Sequence, residues 1–63
     1  MFKLTDFLPG DVVRDRDGEV GTVTFITDEF LVVDCGAFGV EHIKPSYIEE
    51  IVQVADGKRK IGR

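Results

Sequence analysis

Turn-forming residues punctuate this chain at short, regular intervals: Pro9-Gly10, Asp17-Gly18, Thr27-Asp28-Glu29, Gly36-Ala37-Phe38-Gly39 and Pro45-Ser46-Tyr47. The segments between them are brief and rich in β-branched residues, the composition a pleated, half-buried surface prefers. That spacing predicts five strands, over 11–15, 19–26, 30–35, 40–44 and 48–54. Gly18 supplies the positive φ that a tight hairpin turn demands. Thr5-Asp6-Phe7-Leu8 reads as a turn ahead of Pro9, because proline disfavours helix in the residue before it. Pro45-Ser46-Tyr47 suits a single 3₁₀ turn. Residues 46–55 alone offer a competing helix, with Pro45 near its first turn, and their β-branched side chains favour the strand. The expected fold class is all-β: a small five-stranded barrel with a short 3₁₀ turn before the last strand.

Sixty-three residues make one small domain, which buries only about 60% of the surface its unfolded chain exposes. Such a domain has little room for the deep cleft that catalysis ordinarily needs. Alternation along the third strand points Leu31 and Val33 inward, and Val13, Val20, Val23, Val40, Ile43, Ile48 and Ile51 are expected to join them. Each is worth roughly 1.5–3 kcal/mol when buried, enough for a marginal core once chain entropy is subtracted. Val12, Phe25, Phe30, Val32, Phe38 and Val52 exceed what that core holds. They are expected to cover barrel ends or to form a contact surface. The chain thus divides into an N-terminal turn over the barrel end (1–8), the barrel (9–55) and a flexible basic tail (56–63).

Charge is distributed unevenly. Twelve acidic residues face eight basic ones, for a net −4, but Lys58, Arg59, Lys60 and Arg63 all lie in the last six positions. Residues 1–57 therefore set twelve acids against four bases, a formal −8. Nucleic-acid affinity rests largely on neutralising phosphates, so the acidic body disfavours that class of partner. Cys35 is the single cysteine; it excludes an intramolecular disulfide and a cysteine-based metal cage. With no apolar run of signal-peptide or membrane-span length, a cytoplasmic location is expected.

Gly10-Asp11-Val12-Val13, followed by Gly18-Glu19-Val20-Gly21-Thr22-Val23, resembles the KOW motif of SH3-like barrels, found in NusG-type transcription factors and some ribosomal proteins. Gly21 matches the motif's inner glycine and Val23 the valine two residues beyond it. The likeness covers about residues 9–26 directly and extends to about residue 54 through the later strands and the 3₁₀-like turn. It implies an SH3-like barrel acting as a binding module. One departure matters. KOW domains that grip RNA carry basic residues around the first loop, whereas this loop is Asp15-Arg16-Asp17-Gly18-Glu19.

Catalytic and metal constellations are thin. The acidic loop lacks the ligand positions and late glutamate of an EF-hand. Cys35 and His42 cannot by themselves complete a zinc shell; Asp34, Glu41 or a second chain would have to supply the other ligands. A nominal His42, Ser46 and Asp34 triad also needs an oxyanion hole and a substrate groove, which a barrel this small seldom offers. No catalytic residue, metal or cofactor is expected. The best lead is aromatic: Phe30, Phe38 and Tyr47 fall at or near turns, where function concentrates. Rimmed by Asp28, Glu29 and Glu41, with His42 nearby, they suit a basic peptide or protein surface. The competing assignment makes these rings plugs for the barrel ends. The expected function is a non-enzymatic protein-interaction module, of the kind a phage or mobile element can encode. Two other readings stay open: nucleic-acid or ribosome association through Lys58, Arg59, Lys60 and Arg63, and homo-oligomerisation through strand edges.

Overall fold

The computed structural model describes residues 1–58, and in them the punctuated sequence becomes one antiparallel sheet. Its strands are β1 (Val12–Asp15), β2 (Val20–Ile26), β3 (Leu31–Asp34), β4 (Val40–Ile43) and β5 (Ile48–Gln53). Their order across the sheet is β4-β3-β2-β1-β5. Short 3₁₀ turns at Leu4–Asp6, Gly36–Phe38 and Pro45–Tyr47 are the other regular elements. Within residues 46–55, Ile48–Gln53 form the fifth strand rather than a helix, and among the described residues no helix is long and apolar enough to cross a membrane. β4 pairs with β3 and β5 with β1, but β4 and β5 do not pair with each other, so the sheet is open between its outermost strands.

The first hairpin shows how the acidic loop folds. The Asp15 N–H donates to the Glu19 carbonyl (2.9 Å), and Gly18, at φ +88°, donates its N–H to the Asp15 carbonyl (3.0 Å). The buried Asp15 carboxylate closes the loop by accepting from the N–H groups of Asp17 (2.9 Å) and Glu19 (3.0 Å). Asp11 does the same for the sheet's far end. Wholly buried, it accepts from the N–H groups of Leu8 (2.9 Å) and Ala55 (2.7 Å), while its carbonyl accepts from Val23 (2.8 Å). One side chain thereby ties the N-terminal segment and the residues after β5 to the sheet, as a buried carboxylate must be hydrogen-bonded.

The core consists of Phe7, Val13, Val23, Leu31, Val33, Cys35, Ile43, Ile48 and Ile51. Two residues expected there are outside: Val20 is 51% exposed and Val40 62%. Register explains both. Val20 pairs with Arg14, whose neighbours Val13 and Asp15 point inward, and Val40 pairs with Asp34, between the inward Val33 and Cys35. Directly paired residues share a face, so Val20 and Val40 must face out. Cys35 lies on the face that alternation along the third strand gives to Leu31 and Val33, and Phe7 is the core residue that strand alternation does not reveal. Phe2 and Leu4 pack against this core, with the Phe2 and Phe7 rings 5.4 Å apart.

Gly21 explains how Cys35 fits. A Cβ there would lie 2.5 Å from Val33 Cγ1, 2.8 Å from the Asp34 carbonyl oxygen and 3.1 Å from Cys35 Sγ. Only a hydrogen leaves room for the third strand to close on the second. Further along β2, the register slips: Val23 pairs with Val33, yet Phe25 pairs with Val32. Thr24 is the extra residue of a β-bulge, and its hydroxyl donates to the Val32 carbonyl (3.2 Å). The slip turns Phe25 outward, 61% exposed, and lets Ile26 pack against the core.

Candidate functional site

The β3–β4 hairpin and the 3₁₀ turn after it carry most of the chemistry. The Cys35 N–H donates to the Gly39 carbonyl (2.8 Å) across the connecting loop, and Gly39 donates to Gly36 (2.9 Å). Gly36 and Gly39 adopt φ of +66° and +86°, and the Asp34 carboxylate accepts from the Gly36 N–H (2.9 Å). This tight loop holds Phe38 out into solvent, 73% exposed. It plugs nothing. At the opposite end of the hairpin, the Thr27 hydroxyl oxygen accepts from the N–H groups of Phe30 (2.8 Å) and Glu29 (3.2 Å), a turn that leaves Asp28 and Glu29 exposed. Phe30 itself is half-buried and packs on His42, with ring centroids 6.2 Å apart.

The expected aromatic–acidic cluster is thus split into parts. Phe30, His42, Asp28 and Glu29 gather at one end of the hairpin, while Phe38 stands at the other. A row of facing residues, Phe25–Val32–His42, crosses β2, β3 and β4 on the outer side of the sheet and joins the Phe30 end. By sequence Phe25 is only a surplus apolar residue, because the bulge that exposes it cannot be seen without the partner strand.

Tyr47 lies elsewhere again. Its hydroxyl donates to the Asp17 carboxylate, its carbonyl accepts from the Arg16 N–H (3.0 Å), and Arg16 Nε donates to the Ser46 carbonyl (3.1 Å). The acidic hairpin loop is therefore latched onto the Pro45–Tyr47 turn. The bond to Asp17 holds the phenol in its neutral form and pushes its pKa up. Between this turn and β4 lies a shallow groove of about 300 Å³ lined by Glu41, His42, Ile43, Lys44, Ser46 and Tyr47. A larger concavity of about 700 Å³ on another side is lined by Met1, Phe2, Asp6, Arg16, Ile48, Glu49 and Glu50. Its glutamates already face cations: Arg14 meets Glu50 at 2.9 Å, and Arg16 approaches Glu49 at 3.9 Å.

Near the hairpin the acids are not so compensated. The donor atoms of Glu19, Glu41 and Cys35 all lie within 4.8 Å of one another, and neither glutamate has a cationic partner among the described residues. Repulsion from Glu41, more than desolvation, raises the pKa of Glu19. Burial first, then the surrounding carboxylates led by Glu41, raises that of Cys35. A thiol held protonated is a poor nucleophile and a poor metal ligand. The register separates Cys35 from His42, since Cys35 shares the inward face with Val33 while His42 faces out. Among the described residues no hydrogen bond joins His42, Ser46 and Asp34.

Of the basic tail residues, Lys58 is exposed, its N–H donating to the Asp56 carboxylate (3.1 Å); Arg59, Lys60 and Arg63 lie outside the described residues. Comparison of the chain with protein families, curated proteins and solved structures finds no match.

Proposed function

We propose that this chain is a non-enzymatic interaction module, an SH3-like barrel in the manner of KOW domains, that docks an acidic, aromatic-bearing surface on a basic segment of a partner protein. The strand order β4-β3-β2-β1-β5 and the 3₁₀ turn leading into the last strand support that fold reading. The observation that carries the functional reading is the groove beside β4: Tyr47 on one wall, Glu41 and His42 on the other, and the uncompensated Glu19 close to Glu41. Carboxylates that repel one another attract a cation, and a partner's lysine or arginine relieves the repulsion. The described residues hold twelve acids against five bases, which weighs against a phosphate backbone as the ligand.

Tyr47 is the only tyrosine and the chain has no tryptophan, so its emission reports on this groove alone. Titration with a peptide of alternating lysine and valine should change that emission saturably. The counterpart with glutamate in place of lysine should not. Equal responses to both peptides, or none, would remove the charge-complementary surface from consideration.

A further inference from the structure

The exposed edge of β4 adds a mode of recognition to this reading, on which it rests. We infer that the partner segment binds as an added β-strand along β4, with its backbone paired to Val40 and His42. The phase of the ladder fixes which groups are available. Cys35 N–H to Gly39 carbonyl is a hydrogen-bonded position, and hydrogen-bonded and non-hydrogen-bonded pairs alternate along an antiparallel ladder. Val33 with Glu41 and Leu31 with Ile43 are then the pairs that exchange bonds, while Val32 with His42 and Asp34 with Val40 do not. The N–H and C=O groups of Val40 and His42 consequently point away from β3. β4 has no strand on that side among the described residues, and the groove bordered by Ser46 and Tyr47 takes in Glu41, His42 and Ile43 of this strand. An exposed row of unpaired amides and carbonyls is a template for another strand.

Charge selects the occupant. Glu41 is on the inward-facing side of β4, close to Glu19, so a strand laid alongside sets a side chain of its own next to both carboxylates. A second copy of this chain paired through the same edge would bring up its own Glu41. Like charges placed opposite one another destabilise pairing, and the net charge of −4 adds to that penalty. A lysine or arginine from another protein is favoured at the same position. Lys44, following the C-terminal end of β4, directs the guest's basic residue toward the Glu41 half of the edge. The inferred ligand is therefore an extended segment of another protein, with a basic residue beside Glu41 and apolar residues beside Val40 and the Tyr47 ring.

The test uses the whole chain and the alternating lysine–valine hexapeptide, together with two forms N-methylated at one or the other alternate set of residues. An added strand turns only one set of amides toward β4. Methylation of that set should weaken binding by at least about tenfold, as expected for losing two or three hydrogen bonds, while the other set leaves it nearly unchanged. Amide exchange at Val40 and His42 should slow on binding. Two results overturn strand addition. If both methylated forms bind like the parent while Glu41→Gln weakens all three, the acidic surface is right and the strand mode is wrong. If sedimentation of the chain alone shows a dimer with Val40 and His42 already protected, a second copy holds the edge. A third result, failure of every peptide to bind, overturns both the mode and the reading beneath it.

Discussion

Single residues carry much of this fold because the domain is small. Gly21 is the clearest case: a methyl group would be driven to 2.5 Å from Val33 and 2.8 Å from backbone oxygen of Asp34. Gly21→Ala should lower stability by about 1–3 kcal/mol, the usual range for overpacking, measured by denaturant unfolding. Glu19 works in the other direction. Its pKa is raised in the fold, chiefly by Glu41, so the folded state holds the proton more tightly than the unfolded chain. The Glu19 contribution to stability is then fully present below the ordinary value of 4.5 and is lost as pH rises through the raised folded value. Glu19→Gln should therefore increase the melting temperature at neutral pH, lose that advantage at pH below the ordinary carboxylate range, and show a smaller gain in high salt.

At the scale of elements, the hairpins were legible because their turns are made by glycine, proline and aspartate. The third strand's inward residues, Leu31 and Val33, followed from alternation alone. The second strand defeated that rule. Unbroken alternation from Gly21 and Val23 would bury Phe25, and only the partner's register shows that Thr24 is inserted and that Phe25 faces out. Phe25→Thr should then change stability by no more than about 0.5 kcal/mol, as at an ordinary surface site. Ile26→Thr should cost several times more, because Ile26 packs on the core. A matched pair of unfolding curves checks this, and the opposite ranking would refute the bulge. Val20 and Val40 misled for the same reason: β-branched residues in strands fit either face, and only pairing decides which. The candidate site was legible in its residue types but not in its grouping. Asp28, Glu29, Phe30 and His42 converge, Phe38 stands apart, and Glu19 joins Glu41 from a loop distant in sequence.

For the molecule as a whole, what distinguishes this sheet is a local imbalance of charge beside an edge strand that has no further partner strand among the described residues. Salt bridges neutralise the β1–β5 side, where Arg14 and Arg16 meet Glu50 and Glu49. The β4 side keeps Glu19 and Glu41 without cations among the described residues. That asymmetry gives the domain a direction, with one side settled internally and the other the side on which the proposed basic partner would dock. The steering component of such an encounter is screened by salt, so affinity for a lysine-bearing segment should fall as ionic strength rises. The most direct measurement is an amide-resolved map of chemical-shift changes as the alternating lysine–valine peptide is added to the intact chain. The largest changes are predicted at Val40, Glu41, His42, Lys44 and Tyr47. Changes centred instead on Phe2, Asp6 and Glu49 at the larger concavity, or on Val20 and Phe25, would contradict the assignment of the binding surface.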